Sequence, residues 1–438
     1  MKFSLTKEFI TYVFLNILGQ MAYSCYTLAD TYFVSAKLGT DGLTALNLAF
    51  PMFCLMNGIG LMLGIGGGAK YSICKSRKES DTGNRIFTTA LYLAVFLAAI
   101  FFCCGLFFSE PLVRLLGADQ SIFGITNIYL KVMLLFAPAF IINTLLQGFI
   151  RNDGCPSLSM KAMFFGSFSN IILDYIFIFP LDMGIFGAIF ATGLAPIISI
   201  LILSPYFWKK KNHFHIVPLK AEAHIVREIV SSGTSPLLTE ATSGIVMLLF
   251  NFIMLRLAGN IGVAAFGIVT VISLVTVAIY TGLSQGVQPL LSKYHGFQNE
   301  HHVAAIFQKA MITMLLLSGV IYCIIFFGAD ALAAVFNSEG DALLQQYAVI
   351  GLKIYFIACP FMGFNIVMST YFISTERPGP AQIISLLRGF FLLIPFAFLL
   401  SYLFQMTGVW AAYPATECAV CIVGIFLYRA FVKRRRIQ

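Results

Sequence analysis

The sequence predicts an all-α polytopic membrane protein, with twelve transmembrane helices arranged as two parallel six-helix repeats. Three observations carry that expectation. Hydrophobic residues make up 59% of the chain and charged residues 11%, with a mean hydropathy of +0.88, whereas a soluble domain carries roughly 25% charged residues. The apolar residues fall into twelve stretches, each long enough to cross ~30 Å of hydrocarbon as a helix. The second half of the chain also repeats the first.

The repeat appears when the halves are slid by about 220 residues. Gly39, Gly42 and Ala45 then fall on Gly259, Gly262 and Ala265. With slight drift, Leu130, Lys131, Pro138 and Asn143 fall on Leu352, Lys353, Pro360 and Asn365, and Gly184, Ala188 and Thr192 on Gly408, Ala412 and Thr416. Blocks kept in order, with drift only between them, argue for one unit used twice. In an apolar chain that is the pattern of a transporter built from internal repeats.

Each span is bounded by its charges. Spans 9–33 and 43–73 leave from Lys2 and Lys7 and return to Lys75, Arg77 and Lys78. Spans 86–108 and 123–148 leave from Arg85 and return to Arg151. Spans 157–179 and 186–208 leave beside Lys161 and return to Lys209, Lys210 and Lys211. A polar stretch, 209–223, then joins the halves. Spans 228–255 and 261–291 follow Lys220 and return to Lys293; spans 304–327 and 342–372 leave near Lys309 and return to Arg377; spans 381–404 and 408–431 end in the basic run at 433–436. The opposite ends carry little positive charge beyond Lys37, Arg114 and Arg256. The positive-inside rule therefore places both termini in the cytoplasm of a multi-pass cell-membrane protein. Residues 1–215 are expected to form an N-lobe with helices 1–6, and residues 216–438 a C-lobe with helices 7–12. An even number of spans per half makes the repeats parallel, with the substrate path between them.

Other function classes find little support. The net charge of +9 is explained by topology anchors beside anionic lipid and calls for no nucleic-acid partner. No phosphate-binding loop, nucleophile elbow or zinc motif appears, so neither an enzyme nor a cofactor is expected. Cys418 and Cys421 lie in an apolar span without a second pair and read as packing residues. The six histidines, His295 among them, read as solvated loop residues.

The informative residues are the few polar ones inside spans, because an ionised Asp costs about 3 kcal/mol or more at the bilayer centre. Asp30 lies late in span 1 and Asp174 late in span 5; Asn170 shares a helix face with Asp174 through its i, i+4 spacing. Thr192 is early in span 6. All four should lie at a similar depth. Their oxygens suit a hard cation such as Na⁺, and the carboxylates suit reversible protonation. No other metal is expected. The bland alternative is interhelical glue worth about 1 kcal/mol per contact. Against it, the second-half counterparts of Asp30, Asn170 and Asp174 are Phe250, about Leu392 and about Phe396, so the packing unit does without the polar groups. Glu240, counterpart of Gln20 and mid-way along span 7, is either a substrate or ion contact or one half of a structural pair with Arg388. Deep charge otherwise reads as Asp30 and Asp174, with Arg388 alone on the basic side. Glycine spacings at Gly60, Gly64 and Gly68, and at Gly282 and Gly286, read as close helix packing, and prolines including Pro138 and Pro360 as bends.

The stretch Ala29-Asp30-Thr31-Tyr32-Phe33-Val34 followed by Leu38-Gly39, the run Gln147-Gly148-Phe149-Ile150-Arg151-Asn152-Asp153-Gly154, and the segments Asn170 to Asp174 and Gly184 to Thr192 resemble motifs of the multidrug and toxic compound extrusion (MATE) family. The similarity runs over essentially the whole chain. The resemblance implies a V-shaped pair of lobes and efflux of small organic, often cationic, compounds driven by inward flow of H⁺ or Na⁺. It implies a cation site at Asp30, Asn170, Asp174 and Thr192, and matches Glu240 to an acidic position used by some members. This chain departs from many relatives in having no proline in span 1, and in carrying Asn365 without a carboxylate in span 10. A flippase for lipid-linked oligosaccharides, from the same broader superfamily, is the alternative; it would line its cavity with several Arg and Lys to hold a pyrophosphate. Partners are therefore organic solutes and membrane lipids. The oligomeric state stays open.

Overall fold

A computed structural model of the chain describes residues 5–218, 222–337 and 340–435, with side chains as far as 430. Lys2, Lys220 and Arg436, counted above among the basic residues, lie outside the described residues. The fold is helical throughout: α1 (Leu5–Leu61), α2 (Gly68–Ser76), α3 (Ser80–Phe107), α4 (Ser109–Leu115), α5 (Phe123–Leu135), α6 (Ala137–Asn152), α7 (Pro156–Ile178), α8 (Gly184–Trp208), α9 (Ala223–Gly296), α10 (Glu300–Phe336), α11 (Ala342–Tyr355), α12 (Cys359–Ser374), α13 (Pro378–Leu386) and α14 (Leu393–Arg435).

Eight helices or continuous helical runs are long and apolar enough to cross a bilayer, and α5 with α6, bent by 46°, makes a ninth span. Three of the runs fold back on themselves at a single residue: Gly39, Gly259 and Gln405. The described chain thus crosses twelve times, as expected. The reversal in α1 is sharp. A Cβ added to Gly42 would lie 2.9 Å from Val34 Cγ1, although eight residues of straight helix rise about 12 Å. Gly39 and Gly259 turn the chain with φ of 63° and 60° and ψ of −146° and −149°, a region open to glycine and costly for other residues. This is the physical content of the glycine match between halves. Gln405 makes the same kind of turn at φ 52°, ψ −135° without glycine's freedom.

Pro138 and Pro360, also a matched pair, each stand in the first turn of a helix that follows a break: the bend before α6, and the short 3₁₀ turn Phe356–Ala358 before α12. Proline suits a first turn because the missing N–H has no partner to lose there. Before its reversal, α1 has no break, consistent with its lack of proline. Two π-helical stretches, Met62–Gly67 and Leu387–Phe391, interrupt the second and eleventh spans.

Side chains sort into two buried cores. One gathers residues from Val34 to Phe214, the other from Phe250 to Val420. Large apolar side chains such as Phe96, Leu201, Leu316 and Phe426 point outward, as hydrocarbon surroundings allow. The exceptions to the sorting define the seam between halves. Phe9, Val13 and Ala69 belong to the second core, and Ile225 and Ile229 to the first. All lie toward the basic face, where the halves press backbone to backbone. A Cβ on Gly66 would lie 2.5 Å from Ile229 O, and one on Gly282 2.5 Å from Ile17 Cα; Gly286 packs against Val13 Cα and Gly233 against Met62 O. Helix axes approach this closely only through residues without side-chain bulk.

Ion pairs cap the seam at the basic face. Lys70 reaches Glu376 at 3.1 Å and Glu228 at 3.5 Å, Arg77 reaches Glu376 at 2.8 Å, and Lys293 reaches Glu8 at 2.6 Å. His295, expected in solvent, is instead wedged between Glu376 and Glu300, 3.6 Å from each. The connector at 209–218 is also docked. Phe214 is fully buried beside Tyr71 and Phe87, and the buried carboxylate of Asp153 accepts from the His213 N–H at 2.9 Å and from the Tyr71 and Tyr206 hydroxyls at 2.6 Å. The seam contacts named here lie on the basic side, so the halves are closed at that end.

Candidate functional site

Asp30, Asn170, Asp174 and Thr192 come together from α1, α7 and α8, and all four are buried. Their meeting follows from local geometry. One turn of α7 stacks Asn170 over Asp174, and α1 and α8 both pack against α7. With its amide nitrogen facing Asp174, Asn170 donates to Asp174 Oδ2 at 2.9 Å and its oxygen accepts from the Thr192 N–H at 3.2 Å. In the opposite orientation the amide donates to Thr192 Oγ1 at 3.4 Å. The Thr192 hydroxyl itself donates to Ala188 O at 3.0 Å. Asp30 and Asp174 are close enough for their charges to act on each other, and Oδ1 of each is buried with no hydrogen-bond partner among the described residues. Unpartnered carboxylate oxygens in a polar cluster are the donor set a hard cation or a proton requires. Tyr26 and Tyr129, not singled out in the sequence, lie within electrostatic reach of both carboxylates. Their signal was their type alone, a hydroxyl in an apolar span.

Beside this cluster, between the halves, is a cavity of ≈ 260 Å³. Tyr26 and Thr192 line it, so they form the wall between the carboxylates and the cavity. Glu240 lines the same cavity from α9, packed against the part of α1 that follows the Gly39 reversal: a Cβ on Gly58 would meet the Glu240 Cβ at 3.1 Å. Phe50, Phe53 and Phe140 supply an aromatic wall, with the Phe53 and Phe140 rings edge to face at 5.8 Å.

Two charge assignments change. Glu240 does not pair with Arg388. Arg388 instead makes a partly buried, multiply bonded pair with Glu417 of α14, Nη2 to Oε1 at 2.8 Å and Nε to the two oxygens at 2.9 and 3.1 Å, while Asn365 donates to Glu417 Oε2 at 2.7 Å. The π-helical stretch at Leu387–Phe391 carries Arg388. Glu417 was missed. An acid and a base, each deep in an apolar span, should have suggested one another. Arg151 is the second change. Expected as an interfacial anchor, it is buried and lines the cavity. Its Nη1 donates to Asn16 Oδ1 at 3.1 Å and to Gln285 Oε1 at 2.6 Å. Gln20 also donates to Gln285 Oε1, at 3.1 Å, so one amide oxygen of the second half holds two groups of the first. Below it, Asn152 and Gln288 exchange hydrogen bonds at 3.0 Å.

Comparison with known proteins bears on the whole arrangement. Residues 16–176 and 237–399 match the family model described as MatE. A multidrug export protein MepA of Staphylococcus saprophyticus is 28% identical over 413 residues, 93% of this chain and 90% of that protein. A protein of the same name from Staphylococcus aureus is 25% identical over 415 residues, 94% of this chain and 91% of that one. Among solved structures, an outward-facing multidrug resistance MATE family transporter of the MOP superfamily superposes with a TM-score of 0.93 at 21% identity, over 100% of this chain and 98% of that one. A MOP superfamily transporter from Pyrococcus furiosus superposes with a TM-score of 0.91 at 22% identity, over 99% and 97%. At such identities the superpositions speak for the fold.

Proposed function

The chain belongs to the MatE family, whose members are transporters and not enzymes, and from that premise we propose that it exports small organic, often cationic, compounds in exchange for H⁺ or Na⁺ by alternating access. The observation that carries this is the pair of buried, unpartnered Oδ1 atoms on Asp30 and Asp174, set behind a cavity wall. Relatives named as multidrug export proteins support the direction and the class of cargo.

The residues suggest how the two movements are linked. Buried carboxylates side by side call for a positive charge between them, a proton or a metal cation. A proton needs only the carboxylates. Na⁺ would also use the oxygens of Asn170 and Thr192. Loading draws α1 and α7 together, and Tyr26 and Thr192 carry the change to the cavity they line. Coupling requires only that loading alter the relative stability of the two facing states, typically by about 1–3 kcal/mol. In this reading residues 1–215 and 216–438 act as two lobes that rock about the seam. Both termini and the 209–223 connector lie in the cytoplasm, and the closed basic face is the cytoplasmic gate. Ion entry from outside would then favour release of cargo outward.

The flippase alternative called for several basic groups in the cavity. Arg151 is the one Arg or Lys among the described residues that line it, which favours export. The deciding experiment is dye efflux from proteoliposomes with a pH or Na⁺ gradient imposed separately. Either gradient should drive export. If neither does, while a lipid-linked sugar is translocated, the exporter reading fails.

A further inference from the structure

We propose that the second half carries a site for one anionic phospholipid, in the leaflet away from the basic face. Lys353 holds the lipid phosphate, and an acyl chain lies in a groove between α10 and the broken run α11–α12. The site is separate from the cavity between the halves and stands whether or not the export reading does.

The groove has a volume of ≈ 560 Å³ and is lined by Leu315, Ser318, Gly319 and Tyr322 of α10 and by Ile357 and Phe361 at the break before α12. Leu315 and Ile357, with Leu316 and Val320 beside them, are exposed, so the groove opens on the apolar outer surface of the spans. Its polar groups are already engaged. The Ser318 hydroxyl donates to Met314 O at 2.8 Å and shares a hydrogen bond with Tyr280 at 2.7 Å, and the Tyr322 hydroxyl donates to Lys353 O at 3.3 Å. Such a wall offers nothing to a polar guest and suits an alkyl chain. A Cβ built on Gly319 meets no atom within 4 Å, so there is room for one. Charge then names the head of the guest. The apolar stretch of α10 is bounded by Lys309 and Asp330, about 30 Å apart at the rise of a helix, which is the thickness of the hydrocarbon. Lys353 starts inside that slab, level with Tyr322, and its ammonium lies 5.5 Å from the centre of the Phe326 ring, one turn short of Asp330. Among the described residues no carboxylate forms an ion pair with it. A lysine in an apolar span is costly without an anion, and a cation–π contact is a weak substitute. From the bilayer side the anion at hand is a lipid phosphate at the rim of the leaflet. Ile357, about one turn beyond Lys353 in the same run, belongs to the groove, so the head and chain positions are continuous. The groove then follows α10 from Tyr322 to Leu315, about 10 Å deeper into the hydrocarbon. A phospholipid occupies both positions at once; a free phosphate fills only the first.

The test is native mass spectrometry of the delipidated full chain in detergent, titrated with dioleoyl phosphatidylglycerol or with dioleoyl phosphatidylethanolamine, whose own ammonium offsets its phosphate. The first phosphatidylglycerol should bind about tenfold more tightly than the first phosphatidylethanolamine, the difference expected for one charge-assisted contact. Lys353→Gln should erase that difference, and Lys353→Arg should keep it. Gly319→Leu, which fills the groove, should weaken both lipids about tenfold by displacing roughly two buried methylenes. Lys131→Gln, at the matched lysine of the first half, should change neither. Equal binding of the two lipids by the unmodified protein would overturn the proposal with no variant needed. So would undiminished binding by Gly319→Leu, or a loss in Lys131→Gln equal to that in Lys353→Gln, which would make the preference a property of diffuse surface charge. A dimer dispersed by Gly319→Leu would give the groove to a second copy of the chain, and displacement of phosphatidylglycerol by a transported dye would give it to cargo; either result removes the lipid site.

Discussion

Glu376, in the turn between α12 and α13, accepts a hydrogen bond from Arg77 of the other half at 2.8 Å. Lys70 adds a second at 3.1 Å, and His295 stands 3.6 Å away. One carboxylate thus gathers three basic side chains at the closed face, two of them from across the seam. The contacts with His295, then Lys70 and Arg77, hold its carboxyl well below its usual 4.5 against the opposing effect of burial.

Glu376→Gln should therefore loosen the basic face. Spin labels at Ser80 and His301, both exposed, should report a longer-distance population that the unmodified protein lacks, corresponding to about 1 kcal/mol after allowance for partial exposure. Because the carboxyl's pKa is lowered by its partners, its contribution is present in full above the ordinary carboxylate value and is lost as pH falls below it. The difference between variant and unmodified protein should hold steady from pH 8 to about pH 6 and shrink below pH 4.5. A difference that disappears between pH 8 and about pH 6 would assign the clasp to another group.

Asp30→Asn and Asp174→Asn should each abolish gradient-driven efflux while leaving expression and thermal stability largely unchanged. The amide keeps volume and hydrogen bonding but cannot cycle a proton or neutralise a cation. The matching positions of the second half, Phe250 and about Phe396, show that the unit folds without those charges. Full efflux by either variant in a well-folded preparation would remove the carboxylates from the coupling site.

Asn170→Leu should damage Na⁺-driven efflux more than H⁺-driven efflux. Only a metal cation uses the amide oxygen, which accepts from the Thr192 N–H when the amide nitrogen faces Asp174. The same liposomes, given each gradient in turn, provide the comparison. Equal losses would mean that Asn170 orients Asp174 and does not itself contact an ion.

Gln405→Gly should stabilise the protein by about 1 kcal/mol, because the reversal at φ 52°, ψ −135° strains any residue with a Cβ. The side chain is exposed, so little packing is lost. A thermal shift measured in detergent would rise; an unchanged or lower midpoint would mean that the Gln405 side chain offsets the strain.

Comparison of the two halves paired Gly39 with Gly259 and Pro138 with Pro360 from residue type and order alone, and each pair performs one task in the fold. The cluster of Asp30, Asn170, Asp174 and Thr192 was legible for a related reason. Helical spacing fixes Asn170 against Asp174, and the shared depth of three spans does the rest. Partner choice was not legible. Arg388 had two acids available within apolar spans, and only the packing of α14 against the π-helical stretch selects Glu417 over Glu240. Arg151 sits where a chain end and a span end look alike in sequence. A long side chain there can reach either water or the cavity, and the amide oxygens of Asn16 and Gln285, distant in the chain, decide between them. His295 was misplaced similarly, since Glu376 comes from another span.

At the three single-residue reversals, the face opposite the basic one has almost no connecting chain. Antibodies, proteases and other macromolecules approaching from that side meet continuous helix ends at Gly39, Gly259 and Gln405. Among the described residues, larger handles remain at 108–122 and 179–183. An affinity reagent raised against intact cells displaying this face should map to those two segments in preference to the three reversals, and a protease-site or epitope insertion should be tolerated there better than at Gly39, Gly259 or Gln405.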